Sequence, residues 1–176
     1  MNKIKIRPAK IEDAERLLEI YSYYIKETAV TYEWDVLTVE AFADRIRNIS
    51  SKFPYLVCED ENVKIQGYVY ASSFSERKAY DWTVETSIYL DKDARRMGAG
   101  SALYEALETE LKKMGIVNLI AKIAWCEKED EYLTHDSVLF HTKVGYEYSG
   151  TLKSVGKKFG RWYDIVMMTK RIAPLD

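Results

Sequence analysis

A glycine-rich segment between a strand pattern and a helix pattern carries the clearest chemical signal in the sequence. It reads Leu90-Asp-Lys-Asp-Ala-Arg-Arg-Met-Gly-Ala-Gly-Ser101. Gly98 and Gly100 allow backbone amides to approach a ligand closely, and Arg95 and Arg96 add positive charge. The first N–H groups of a helix have no partner within the helix and carry a partial positive charge. The segment therefore predicts a cradle for an anion of pyrophosphate size, although glycines at these positions could also simply begin a helix.

Two common nucleotide-binding motifs do not fit this segment. A P-loop requires Lys and then Ser or Thr after its last glycine, whereas Gly100 is followed by Ser101 and Ala102. A Rossmann fingerprint requires a glycine three residues after Gly100, where Leu103 stands. What remains is the pattern R-x-x-G-x-G, placed after a strand and at the start of a helix.

A carboxylate lies in the middle of the strand that precedes this segment. The alternation of Thr83–Leu90 places Val84, Thr86, Ile88 and Leu90 on one face and Glu85, Ser87 and Tyr89 on the other. Glu85 could accept a proton beside a reaction centre. It could equally be one polar residue on a solvated face of the sheet, and the residues alone leave both interpretations open.

A histidine near the end of the chain is a second candidate for proton transfer. His141 lies four residues before Gly145 in a short helix pattern, Ser137 to Lys143. Because histidine titrates near neutrality, it could donate a proton or form part of a relay. Its spacing is also that of a histidine on a helix surface.

Hydrophobic periodicity predicts the elements that position these residues. The first helix is expected to begin at Glu12, and the second is expected to follow the N-cap Thr38. Two further helices are expected over Gly98–Met114 and Ser137–Lys143. Strands are expected over 4–7, 55–58, 65–71, 83–90, 119–124, 146–152 and 162–168. The resulting order, β-α-α-β-β-β-α-β-α-β-β, indicates a mixed α+β sheet and not a doubly wound fold.

Length and composition narrow the class of protein. The 176 residues fit one compact domain, and 26 basic against 28 acidic residues give no indication of nucleic-acid binding. Cys58 and Cys126 lie in apolar runs and are expected to be free thiols, and two histidines without a CxxC motif predict no metal site. The sequence has neither a signal-peptide pattern nor a membrane span, so we expect a cytoplasmic protein.

The glycine-rich segment resembles the coenzyme A pyrophosphate motif of the GNAT superfamily of N-acyltransferases. Four further segments are similar to the phosphinothricin acetyltransferase family within it. The residues with which these four segments start are Ile6-Arg-Pro-Ala, Ala79-Tyr-Asp-Trp-Thr-Val-Glu, Phe140-His-Thr-Lys-Val-Gly-Tyr and Val155-Gly-Lys-Lys-Phe-Gly-Arg-Trp-Tyr-Asp. The resemblance implies one acyl-CoA N-acyltransferase domain over residues 1–176. It also implies a GNAT-like mixed, mostly antiparallel central sheet flanked by about four helices.

The resemblance also assigns roles to residues. The backbone of Ile88, Tyr89 and Leu90 would hold the pantetheine arm and the thioester carbonyl. The pyrophosphate would be held by Arg95, Arg96, Met97, Gly98, Ala99, Gly100 and Ser101. Glu85 would be the general base, and His141 would protonate the departing thiolate. Where the family carries a cofactor-contacting Asn, this chain has a longer acidic stretch, in which Asp136 or Thr134 could substitute.

The predicted function is transfer of an acetyl group from acetyl-CoA to the amine of a small amino-acid-like substrate. Tyr32, Phe74 and Tyr80 are candidates for the substrate pocket, and Arg77 could pair with a substrate carboxylate. Two alternatives remain: acetylation of a protein or peptide, and a non-catalytic module that binds acetyl-CoA. The resemblance further implies a homodimer, with no membrane or nucleic-acid partner.

Overall fold

The computed structural model describes residues 4–94 and 98–175, and its helices and strands follow the predicted order. The strands are β1 Lys5–Pro8, β2 Tyr55–Glu59, β3 Ile65–Ser73, β4 Thr83–Leu90, β5 Asn118–Trp125, β6 Glu147–Lys158 and β7 Arg161–Arg171. The helices are α1 Ala14–Glu27, α2 Val39–Ser50, α3 Ala99–Lys113 and α4 Asp136–Lys143. Within the described ranges, no helix is long and apolar enough to cross a membrane.

The seven strands form one sheet in the order β1-β2-β3-β4-β5-β7-β6. Neighbouring strands are antiparallel except for β4 and β5, which pair in parallel. That parallel pairing covers only Thr83 with Asn118, Val84 with Leu119 and Glu85 with Ile120. Beyond Glu85 the two strands diverge, so the middle of the sheet opens toward the end of β4.

The two faces of the sheet contact different helices. Val84, Ile88 and Leu90 of β4 belong to the apolar cluster around α3, which includes Leu103 and Leu107. Tyr89 instead contacts the cluster of α1 and α2. The alternation predicted for β4 is therefore confirmed, and both faces of the strand are covered over its second half.

Local interactions explain where the helices begin. The hydroxyl of Thr38 accepts a hydrogen bond from the backbone N–H of Ala41 at 3.1 Å, which confirms Thr38 as the N-cap of α2. The first helix begins later than predicted, at Ala14, after a short 3₁₀ turn. Asp13 is engaged there, because its carboxylate accepts hydrogen bonds from the Arg7 guanidinium and the Lys10 backbone N–H.

The last two strands form a longer hairpin than predicted. Bulges between Tyr148 and Gly150 and between Leu152 and Gly156 interrupt the register of β6 with β7. They disturb the period-2 pattern that sequence analysis relies on, which is why the predicted strand ended at Leu152. Phe159 and Gly160, both with positive φ (49° and 76°), form the two-residue turn.

The tip of this hairpin is attached to the end of α1. Lys158 is 1% exposed, and its ammonium donates to the carbonyl oxygens of Thr28 and Thr31, both at 2.8 Å. The carbonyl of Tyr24, in the last turn of α1, lies at 3.5 Å. A cation at a helix C-terminus satisfies carbonyls that the helix itself leaves unpaired. Lys158 therefore ties β6 to the loop between α1 and α2.

Candidate active site

A narrow crevice opens where β4 and β5 diverge. Its volume is about 50 Å³, and it is lined by Thr86–Tyr89 of β4 and Ala121–Ala124 of β5. Val30 and Leu133 also line it, as do Ser137 and His141. The lining comes from both faces of the sheet, so two reactants could meet in it from opposite sides.

Glu85 lies on the face of the sheet that α1 and α2 cover further along β4. Its carboxylate oxygen Oε2 is 2.6 Å from Nζ of Lys122, which projects from β5. The Glu85 side chain is 24% exposed and that of Lys122 is 42% exposed. The carboxylate is therefore neither buried nor fully solvated, and it stands as half of an ion pair close to the crevice.

His141 is buried, with 4% of its surface exposed, so the interpretation as a surface histidine is wrong. Its Nδ1 lies 2.7 Å from the backbone carbonyl of Ser137, and its Nε2 lies 2.9 Å from the hydroxyl of Tyr104. A carbonyl oxygen can only accept, so Nδ1 carries the proton and Nε2 accepts from Tyr104. Burial lowers the pKa of His141, which keeps the imidazole neutral near pH 7.

The His141 contact continues into a buried network of hydroxyl groups. The Tyr104 hydroxyl lies 3.2 Å from Oγ1 of Thr86, which lies 2.8 Å from the hydroxyl of Tyr146. Burial raises the pKa of Tyr104 to about 12 and raises that of Tyr146 as well, so both keep their protons. With Tyr104 donating to His141, the hydroxyl chain runs from the core to the crevice.

The start of α3 shows why its two glycines are there. Gly98 has a φ of 78°, a left-handed conformation that favours glycine. A Cβ at Gly100 would lie 2.9 Å from the Phe140 ring of α4, so a larger residue at this position would force that ring to shift. Ala99 is buried, Ser101 is half-buried, and Arg95, Arg96 and Met97 lie outside the described residues. The pyrophosphate cradle remains a prediction.

The end of β4 was predicted to offer backbone groups to a ligand. At Leu90, the hydroxyl of Tyr24 donates to the carbonyl at 2.6 Å and accepts from the N–H at 3.3 Å. Since backbone N–H groups alternate in direction along a strand, that of Ile88 faces the same side as that of Leu90. The Tyr89 side chain points elsewhere, into edge-to-face contacts with Tyr21 and Tyr24.

The predicted substrate residues fall into two groups. Phe74 and Tyr80 contact each other edge to face, with ring centroids 5.3 Å apart, and Phe74 lies 5.9 Å from Nζ of Lys122. Arg77 is exposed in the same loop. Tyr32 lies elsewhere, over the hairpin, where its hydroxyl donates to the Asp164 carbonyl and its ring occupies the space a Cβ at Gly156 would need.

The acidic stretch before α4 is attached to β7. Asp130 and Glu131 form ion pairs with Arg161 at 2.8 and 2.9 Å, and Asp130 also accepts from the Tyr163 hydroxyl at 3.0 Å. Both proposed substitutes for the family's Asn, Thr134 and Asp136, are exposed. The stretch thus has a clear structural role, while the cofactor contact predicted for Asp136 remains a prediction.

Two residues of this region were not identified from the sequence. Lys122 is the one charged residue of β5, and it lies two positions beyond the residue that pairs with Glu85. A single charge in a strand of this kind is a sequence signal that could have identified Lys122 as a candidate. Tyr104 lies on the buried face of α3, where the pattern indicates only core. Its contact with His141 depends on the packing of α3 against α4.

Comparison with known proteins agrees with this architecture. The acetyltransferase (GNAT) domain family matches residues 6–167. The chain belongs to the GNAT acetyltransferase family. It is therefore an N-acetyltransferase of the acetyl-CoA-dependent type.

Its relatives within the GNAT family include enzymes that act on small molecules. A phosphinothricin N-acetyltransferase of Streptomyces viridochromogenes is 33% identical over 163 residues, covering 92% of this chain and 84% of the relative. An L-amino acid N-acyltransferase of Escherichia coli is 30% identical, covering 94% and 92%. The crystal structure of a phosphinothricin acetyltransferase from Sinorhizobium meliloti in complex with acetyl-CoA superposes with a TM-score of 0.86. It is 33% identical, covering 96% of this chain and 88% of that one.

Proposed function

We propose that this enzyme transfers the acetyl group of acetyl-CoA to the amine of a small amino-acid-like substrate. The observation that carries the proposal is the crevice between β4 and β5, with the Glu85 carboxylate near one side and His141 lining it. The activities for which the Streptomyces and Escherichia relatives are named support an amino-acid-like acceptor.

The residues around the crevice suit acetyl-CoA. The thioester supplies an activated acetyl group. The N–H of Ile88 would polarise the thioester carbonyl oxygen, while the N–H of Leu90 would have to exchange its contact with the Tyr24 hydroxyl. The start of α3, with Gly98 and the N–H groups of its first turn, would hold the pyrophosphate, helped by Arg95 and Arg96.

Glu85 would act on the acceptor. The substrate amine arrives mostly protonated, and it must lose a proton before its lone pair can form the new C–N bond. Glu85 takes that proton, directly or through a water molecule, and the C–S bond breaks as the amide forms. Neither cysteine is needed as a nucleophile, since burial raises the pKa of both thiols, that of Cys58 to about 11.

His141 has a more restricted role in this scheme. Its only proton in the neutral form is donated to Ser137, so it has none to give directly to a leaving thiolate. In a relay, Nε2 takes the hydroxyl proton of Tyr104 while Nδ1 releases its own proton from Ser137 to the thiolate, and water then returns a proton to Tyr104. The alternative proton donor is water itself. We therefore propose His141 as part of a relay on the thiolate side of the crevice.

A panel of acceptors tests the proposed function. With acetyl-CoA, we expect release of free coenzyme A thiol with phosphinothricin, methionine sulfoximine, methionine sulfone or a common amino acid. Polyamines, aminoglycosides and peptides should give much less. Turnover confined to peptides or to a protein N-terminus would favour the protein-acetylating alternative. Binding of acetyl-CoA by calorimetry without thiol release across the whole panel would favour a non-catalytic module.

We also propose that the chain assembles as a homodimer through the β6–β7 hairpin. β6 is an edge strand, and Tyr148, Leu152, Val155 and Trp162 of the hairpin are each more than half exposed. Exposed apolar side chains gathered on one element are typical of an interface. The cytoplasmic location predicted from the sequence likewise remains a proposal.

Light scattering tests the assembly. We expect a mass near twice 20.5 kDa at micromolar concentration, and a shift toward the monomer when Trp162 is replaced by Lys. A wild-type mass of 20.5 kDa would rule out a stable dimer under those conditions.

A further inference from the structure

Lys122 is a charged side chain on an otherwise uncharged strand. β5 runs Asn-Leu-Ile-Ala-Lys-Ile-Ala-Trp, and Lys122 also lines the crevice. Ile120 pairs with Glu85, and Lys122 follows two positions later, on the same face of the sheet. The parallel register thus brings one anion and one cation together beside the place where β4 and β5 separate.

The contacts of Lys122 leave part of its ammonium available. An ammonium has three N–H donors, and Oε2 of Glu85 lies 2.6 Å from the nitrogen. In the ranges that the structure describes, Glu85 is the one carboxylate within ion-pair distance of Lys122. The Phe74 ring borders it at 5.9 Å, and the side chain is 42% exposed. A second anion could therefore approach from solvent without displacing the first.

The Glu85–Lys122 ion pair matches a ligand that carries one positive and one negative charge close together. The head group of an α-amino acid is a zwitterion, with an ammonium and a carboxylate on one carbon. When this head group lies beside the ion pair in the opposite direction, the substrate ammonium faces the Glu85 carboxylate. The substrate carboxylate then faces the Lys122 ammonium. A polyamine presents no anion to Lys122, and a peptide N-terminus presents an amide there.

We propose that Glu85 and Lys122 together recognise the zwitterionic head group of an α-amino acid, with Lys122 binding the α-carboxylate. Lys122 is then a specificity-determining residue for the acceptor. This inference rests on the proposed function, in which Glu85 takes the amine proton. It also places the amine beside Glu85, since the α-carboxylate held by Lys122 fixes the position of the adjacent nitrogen.

Two alternatives compete with binding of the α-carboxylate by Lys122. Arg77 was predicted from the sequence to pair with a substrate carboxylate, but it is exposed in the loop before β4. A purely structural role for Lys122, in which it only holds Glu85 in place, is the other possibility. The two alternatives give different results when acceptors with and without a free carboxylate are compared.

The test compares methionine sulfone and phosphinothricin with their α-methyl esters in the wild type and in Lys122→Met. We expect the wild type to prefer the free acid in kcat/KM by roughly 10- to 100-fold, as for one charge-assisted hydrogen bond. In Lys122→Met that preference should fall to roughly threefold or less, mainly through a higher KM for the acid. Lys122→Arg should restore most of it. Lys78→Met, which removes an exposed charge in the β3–β4 loop, is the matched control and should keep the preference.

Several outcomes would overturn the inference. If acid and ester lose activity equally in Lys122→Met, then Lys122 only supports Glu85. If Arg77→Met abolishes the preference while Lys122→Met retains it, the carboxylate belongs to Arg77. If the wild-type enzyme turns over the free acids and their methyl esters equally well, the role of Lys122 is overturned while the proposed function stands. Absence of turnover with every amine would overturn the proposed function as well.

Discussion

Replacing Glu85 by Gln should lower kcat by roughly 10²–10⁴ while leaving the affinity for acetyl-CoA unchanged. Glutamine keeps the size and hydrogen-bonding reach of the side chain but cannot accept a proton near neutral pH. Part of the loss should be recovered as the pH is raised, because more of the substrate amine is then already deprotonated. Steady-state kinetics between pH 6 and 9 and calorimetry with acetyl-CoA measure both effects.

Two further variants make the result specific to Glu85. Glu76→Gln removes an exposed carboxylate from the neighbouring β3–β4 loop and should leave kcat nearly unchanged. His141→Ala should cost less activity than Glu85→Gln, because a coenzyme A thiolate can leave unassisted and water can supply its proton. A Glu85→Gln enzyme with wild-type turnover at every pH would remove Glu85 from the mechanism.

Replacing Lys158 by Met should destabilise the fold by about 2–4 kcal/mol near pH 7. The ammonium is the cation that reaches the carbonyls of Thr28 and Thr31, and methionine would leave these buried acceptors without a donor. Urea unfolding of the wild type and of the variant measures the difference. Lys157→Met, one residue earlier on the exposed side of β6, should change stability by less than about 0.5 kcal/mol.

The same substitution should reveal a dependence on pH. Burial lowers the pKa of Lys158 from 10.5 to about 8. Between these values the unfolded chain binds a proton that the folded protein has released, so raising the pH favours the folded state. The stability advantage of the wild type over Lys158→Met should therefore grow from pH 8 toward 10.5 and be smallest below pH 8. An advantage that shrinks over this window would mean that the carbonyls hold the charged form more strongly than burial opposes it.

The sequence predicts the order of the elements because each helix and strand has its own apolar period. β4 begins and ends where alternation predicts it, and Thr38 caps α2 because a hydroxyl at that position serves the first turn. Prediction is weakest where the period breaks, as at the two bulges of β6. The start of α1 was also missed, since Asp13 is bound to Arg7 of β1, a contact between two elements.

The chemistry of the site was only partly accessible from the sequence. Glu85 was proposed because a carboxylate lies in the middle of a strand, and its catalytic role stays a prediction. Its partner Lys122 follows from the register of β4 with β5, which no local pattern encodes. The burial of His141 likewise depends on how α4 lies against α3. Residue types in the sequence are enough to propose the members of such a site. Their protonation states and contacts, which decide their roles, follow only from how the helices and strands pack in the folded protein.

The short parallel pairing of β4 with β5 determines where the sheet opens most easily. The sheet consists of a four-stranded block and a three-stranded block, joined through only three residue pairs. Each block is held internally by a longer ladder, so a local fluctuation that widens the gap breaks fewer hydrogen bonds than one within either block. A molecule that fills the gap and bonds to the edge of β4 would suppress that fluctuation. The two blocks would then behave mechanically as one body, joined by the molecule between them.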